Sequence, residues 1–413
     1  MARWRGLLTD IRPLTESPPF RRLFVGSAIA QLGAQMTNVA VAIQVYDLTG
    51  SSFYVGLVGL FAVVPLIAFG LYGGAFADAM DRRSLALLAS GGLWGISVLL
   101  AVQALLDNGN VWFLYGLIAV QSAFYALNNP ARGAMIPRLL DKHLLPAAAA
   151  LNMAAFNLGF TVGPLAGAFL ISWQGYYSAY LVDVVTFGAA YYALLRLPPM
   201  PPEGDVPRAG LRSVADGLAF LRRARNLRMT FVLDLCAMVL AQPRALFPAL
   251  AYKVYGGGAA TVGLLQAAPA AGALVAFVFS GWISRVRLHG VAIALAVVAY
   301  GAAVGAVGLT DLLWLGLLFL AFTGVADMIS AAYRSTVLQA AVPDHLRGRL
   351  QGVFLVVVAG GPRAGDFLAG SVAAGTGERL ALVLGGVACV VGVVTAVALH
   401  RDFLRYDDRD PRP

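Results

Sequence analysis

ALVLGGVACVVGVVTAVAL, Ala381 to Leu399, carries no charged side chain and no two-residue alternation of apolar with polar positions. A helix needs about 20 mostly apolar residues to cross the hydrocarbon of a bilayer. A membrane β-strand would instead alternate over about ten positions. The run therefore reads as a transmembrane helix. Similar runs fall at 22–47, 53–77, 84–106, 111–136, 145–172, 177–197, 228–253, 259–282, 289–309, 311–337, 349–373 and 379–399. Hydrophobic residues make up 59% of the chain, charged residues 12%, and the mean hydropathy is +0.76, far more apolar than one aqueous core can absorb. The expectation is an all-α polytopic membrane protein with twelve transmembrane helices, lying in the lipid bilayer of the cell membrane.

The net charge is +9, and its placement decides what it means. Arginines precede the first run, and basic residues follow the second (Arg82, Arg83), fourth (Arg138, Lys142), eighth (Arg285, Arg287) and tenth (Arg347, Arg349). They also fill the central loop and the tail, whereas the alternate loops carry only Lys253 and Arg379. This asymmetry is the positive-inside pattern and puts both termini in the cytoplasm. The basic excess is thus a topology signal, and no nucleic-acid partner is expected. MARWRGLLTDIRPLTESPPFRR lacks the apolar core of a cleavable signal. Cys236 and Cys389 lie inside runs and read as small apolar residues. The four histidines show no ligand spacing, so neither metal nor cofactor is expected, and the remaining loops leave no room for a soluble catalytic domain.

The chain repeats itself. GPLAGAFL, Gly163 to Leu170, returns as GPRAGDFL from Gly361, with Leu165 replaced by Arg363 and Ala168 by Asp366. GGAFADAMDRR after the second run corresponds to SGWISRVRLHG after the eighth, and IPRLLDKHLL after the fourth to VPDHLRGRLQ after the tenth. Six spans followed by six in parallel orientation is the plan of two-bundle transporters. The expected division is 1–197, a linker at 198–227, and 228–413. The linker begins proline-rich and passes into SVADGLAFLRRARN, whose Val214, Leu218 and Leu221 share one face, as in an interfacial amphipathic helix.

Here the chain resembles the major facilitator superfamily, over essentially its whole length. Gly74, Asp78, Arg82 and Arg83 are similar to that family's motif A, with departures at Ala79, usually basic there, and at Asp81, often glycine. The resemblance implies a clasp that holds one conformer. Small Gly74 permits close helix approach, and Asp78 can accept hydrogen bonds or pair with arginine. Gly159, Gly163, Pro164 and Gly167 look like motif C, associated in the superfamily with exporters; physically they form a small-residue packing face with a kink. LTGSSFYVGLVGL, FPALAYKVYGGGAATVGLLQAAPAAGA and HLRGRLQGVF are most similar to the enterobactin-exporter subfamily, which also has an aspartate at the place of Asp366. The resemblance implies two pseudo-symmetric six-helix bundles and transport by alternating access.

A charge at mid-bilayer costs roughly 2.5–3.5 kcal/mol, so such residues face a cavity or a partner. Asp366, Asp327 and Asp234 are the candidate proton-coupling acids, with Arg363, Arg334 and Arg244 as their charge partners; Asp183 reads as lying near the outer mouth of its span. Arg363 and Asp366 stand three residues apart, close enough for an intrahelical pair, and Asp327 and Arg334 share a face two turns apart. Such acids either fix packing by neutralising arginines or exchange a proton as the cavity alternates. Gln31, Gln35, Asn38, Tyr125, Asn128, Arg132 and Phe322, with Thr37, Asn129 and Tyr333, could furnish a mostly apolar cavity suited to a bulky amphipathic solute. The expectation is a secondary transporter and not an enzyme, working as a monomer: a proton-coupled exporter of siderophores or drugs. The alternatives are a lipid or metabolite facilitator or importer of the same fold, and a non-transporting sensor or scaffold.

Overall fold

The computed structural model describes residues 10–201, 219, 221–222, 224–281, 286–341 and 344–406; for 71–79 and 339–356 it describes the backbone alone. Twelve helical segments occupy the expected spans. They are α1 (Pro18–Thr49), α2 (Ser52–Ala79), α3 (Arg82–Leu105), α4 (Val111–Leu139), α5 (Leu145–Gln174), α6 (Tyr176–Leu195), α7 (beginning Arg225–Leu235), α8 (Ala259–Val278), α9 (His289–Leu309), α10 (Leu313–Ala341), α11 (Asp344–Thr376) and α12 (Glu378–Leu399). Among the described residues ten helices have the length and hydropathy to cross a membrane. The other two, α1 and α11, hold Gln31, Gln35 and Asn38, and Arg363 and Asp366, along their lengths. Most of the expected amphipathic linker segment lies outside the described residues.

Local chemistry sets the boundaries. Gly175 (φ 78°) separates α5 from α6, and Gly377 (φ 84°) separates α11 from α12; both backbones are left-handed, where a side chain is strained. Asn110 caps α4 by accepting from the amides of Trp112 and Phe113. Asp81, where the family resemblance suggested glycine, caps α3 by accepting from the Ser84 amide at 2.7 Å, and it also accepts from the Met200 amide at 2.6 Å. Burial pushes the Asp81 carboxyl up, but the bonds from Ser84 and Met200 outweigh it and hold it below the usual range. Its contribution is therefore present above the unfolded carboxyl value and lost as pH falls through the lowered folded one. Asp81→Ala should cost about 1 kcal/mol, seen as a lower melting temperature in detergent at neutral pH. The difference from wild type should shrink toward pH 3, and a constant difference across pH would remove the capping role.

The residues group into two compact units, 1–41 with 65–210 and 42–64 with 211–413. In the first unit α3 packs against α4 and α6. There Gly163 and Gly167 of α5 lie so close to α1 that an added Cβ would stand 2.6 Å from the Gln35 side chain and 2.9 Å from the Met36 backbone. The small residues of α5 are thus the seat of α1, and Gln31 and Gln35 sit over them. In the second unit α9 packs on α10 and α12, and α8 on α10. Residues 42–64 are fastened within it by Ser52 and Lys253, which both donate to Glu378, at 3.1 and 3.0 Å, and by stacking of Tyr46 on Tyr252.

Candidate functional site

The seventh span was expected to be one helix and is not. After Leu235 the chain widens into a π-turn, Cys236–Leu240, passes through Ala241, Gln242 and Pro243 without helical structure, and resumes as a tight turn at Arg244–Leu246. Pro243 and Pro248 explain the interruption, because each lacks an amide hydrogen and clashes with the preceding turn. Non-helical backbone at membrane depth persists only where protein or a cavity covers it. Here α11 covers it: a Cβ added to Gly365 would stand 2.7 Å from the Gln242 side chain, so only glycine lets the two backbones meet.

Asp366, one position on, accepts from the Ala245 amide at 3.2 Å. Arg363, whose charge also bears on Asp366, donates to the Ala359 carbonyl at 2.6 Å. The aspartate that distinguishes GPRAGDFL from GPLAGAFL thus satisfies an amide freed by the broken helix. The charge of Arg244, at the same break, bears on both Asp366 and Asp327. Arg334 pairs closely with Asp234 and reaches Asp327 at 3.4 Å, so the expected Asp327–Arg334 contact along α10 is present and is the longer of the two. Asp234 is buried, whereas the Asp327 side chain is 45% exposed. Charges of alternating sign, Asp234, Arg334, Asp327, Arg244 and Asp366, therefore run across α7, α10 and α11. Tyr300 of α9, not singled out from the sequence, is buried within the field of Asp327, Arg244 and Asp366.

The first unit holds a second polar group. Arg132 of α4 donates from Nε to Asn128 Oδ1 at 3.1 Å, from Nη1 to Ser27 Oγ at 2.6 Å and from Nη2 to Ser90 Oγ at 3.1 Å. Asn38 of α1 is exposed and donates to Gln35 at 3.2 Å. Asp183 is wholly buried: it accepts from Ser97 Oγ at 2.7 Å, and Gly33 of α1 leaves the space for its carboxylate. The other cavity candidates scatter. Tyr125 is exposed on α4, Tyr333 is buried against His289, and Phe322 lines an apolar groove of about 690 Å³ with Leu295, Ala299 and Ile329 of α9 and α10.

The basic pair after α2 has clear partners. Arg82 donates to the Ala134 carbonyl of α4 at 3.1 Å, and Arg83 to the Leu195 carbonyl at 2.8 Å, at the end of α6, where a cation is favoured beside free helix carbonyls. The side chains of Gly74 and Asp78 lie outside the described residues.

Ten of the described helices are long and apolar enough to cross a membrane, and the likenesses to known proteins make the chain a polytopic transporter of major facilitator type. Solved structures with the same fold include a POT family transporter in complex with 5-aminolevulinic acid (TM-score 0.78, 11% identity, 94% of this chain and 97% of that one). Another is a bacterial homologue of the human lysosomal transporter Spinster (TM-score 0.71, 16% identity, 95% and 98%). The family of transmembrane secretion effectors matches residues 9–412, and the chain belongs to it. Its relatives include the enterobactin exporter EntS of Citrobacter koseri, 27% identical over 407 residues (98% of this chain, 97% of that protein). EntS of Shigella boydii is 28% identical over 368 residues (89% and 88%).

Proposed function

We propose that the chain is a proton-coupled exporter of small amphipathic molecules, of the siderophore or drug type, with no chemical conversion of its cargo. It works by alternating access as a monomer in the cell membrane, with both termini cytoplasmic. The observation that carries this reading is the alternating charge row gathered around the break in α7. The motif at Gly159–Gly167 and the relatives named as enterobactin exporters favour export and a siderophore-like cargo.

The Asp327 side chain is half-exposed, and its bond to Arg334 is long. A proton on Asp327 removes its attraction for Arg334 and Arg244, leaving those arginines to Asp234 and Asp366. Contacts among α7, α10 and α11 then redistribute, and the interrupted backbone of α7 gives them a place to yield. Proton binding thereby favours one arrangement of the transporter over the other, which is the coupling that exchange requires. Gly74, Asp78, Arg82 and Arg83 serve as the clasp that holds one conformer between exchanges.

The test is Asp327→Asn in everted vesicles. Uptake driven by a pH gradient should fall to background, while downhill exchange of cargo persists at near wild-type rate. Gradient-driven uptake at the wild-type level would remove Asp327 from the coupling.

A further inference from the structure

Among the residues whose side chains are described, Arg132 is a cation with no acidic partner. Its three bonds go to the neutral oxygens of Asn128, Ser27 and Ser90, drawn from α4, α1 and α3. Asn128 Oδ1 also accepts from Ser90 Oγ at 3.1 Å, so two of the three partners are themselves bonded beside the guanidinium. Among the residues of this unit's spans whose side chains are described, the acid is Asp183. It is engaged by Ser97, two helical turns along α3 from Ser90. A guanidinium offers five N–H donors, and three are used, leaving one on each terminal nitrogen.

An unpaired charge at membrane depth is expensive, and removing it from water without a partner costs several kcal/mol. A purely structural cross-link among α1, α3 and α4 could be made by a neutral amide at far lower cost. The position adds a second reason. Arg132 lies seven residues before the end of α4, about 10 Å in by helical rise, at the end of the unit that bears the basic loops. It is half-buried rather than sealed, as a receptor must be.

We infer that Arg132 is the receptor for an anionic oxygen group on the cargo, a carboxylate or an ionised phenol, held by the two remaining N–H groups. This rests on the export reading and narrows it to amphipathic anions. Asn128, Ser27 and Ser90 are positioning residues, which fix the plane of the guanidinium so that a bidentate anion meets it without reorganisation.

The test compares a fluorescent acid with its neutral isostere, 1-naphthylacetate and 1-naphthylacetamide, binding to the purified full-length protein with no gradient present. Wild type should bind the acid about tenfold tighter than the amide, the scale of a charge-assisted hydrogen bond. Arg132→Gln and Arg132→Met should erase the preference, by weakening binding of the acid about tenfold more than binding of the amide. Arg132→Met should melt no lower than wild type, because it removes an uncompensated charge. Equal binding of acid and amide by wild type, or a preference that survives both substitutions, overturns the inference. So does a lowered melting temperature in both variants with the preference intact, since that is the mark of a structural cross-link. The export reading fails separately: if wild type binds the acid tightly but everted vesicles never accumulate it, the receptor stands and export does not.

Discussion

Arg334→Ala is expected to destabilise the protein by about 3–5 kcal/mol, the scale of breaking a buried ion pair from one side. Asp234 and Arg334 have only 6% and 13% of their side chains exposed, so loss of the arginine leaves a carboxylate with neither water nor cation. Removing both charges has a different expected result. Arg334→Met combined with Asp234→Leu should recover most of the loss, because apolar replacements of similar volume remove the desolvation penalty along with the attraction. Asp327 cannot substitute for the missing partner, since it is an acid itself. Chemical unfolding in detergent of the two single variants and the double variant checks this. If the double variant loses the sum of the singles, the pair does not act as a unit.

Asp366→Ala is expected to cost about 1–3 kcal/mol, the penalty for a buried donor left without an acceptor. The donor is the Ala245 amide at the break in α7. Asp366→Asn keeps an oxygen for that amide and should cost much less, although it removes the charge beside Arg244. The informative variant is Arg363→Leu with Asp366→Ala, which rewrites GPRAGDFL as GPLAGAFL. Were Asp366 there to balance Arg363, the double change would be close to neutral. Its carboxylate goes to a backbone amide instead, so the double variant should be as unstable as Asp366→Ala alone. Melting temperatures of the three variants decide between these, and recovery in the double variant would contradict the role at the break.

These two cases mark how far the sequence could be read. The spans were legible because hydropathy is a local property: the run expected at 289–309 is His289–Leu309, and 145–172 is Leu145–Gln174. The face at Gly159, Gly163 and Gly167 was legible because its spacing is helical. The break in α7 was not read, although Pro243 and Pro248 are its signal; a proline-bearing apolar run looks continuous until its unpaired amides are counted. Intrahelical spacing found the Asp327–Arg334 contact and put the charge of Arg363 beside Asp366, but it could not show the Ala245 amide, which belongs to another element. The partners of Arg132 on α1 and α3, the burial of Asp183 and the approach of Tyr300 depend on packing between helices distant in sequence. Asp81 carried a local signal, an acid three residues before Ser84 at the head of an apolar run, and it was read only as a departure from a family pattern.

We propose that cargo leaves in exchange for protons through the charge row of the second unit. The most direct measurement is the lumenal pH of acid-loaded, everted proteoliposomes, followed with an entrapped pH dye as cargo is added. Wild type should make the lumen more alkaline in step with cargo uptake, and Asp327→Asn should take up cargo downhill with no change in lumenal pH. Uptake by wild type that leaves the lumenal pH unmoved would contradict the account.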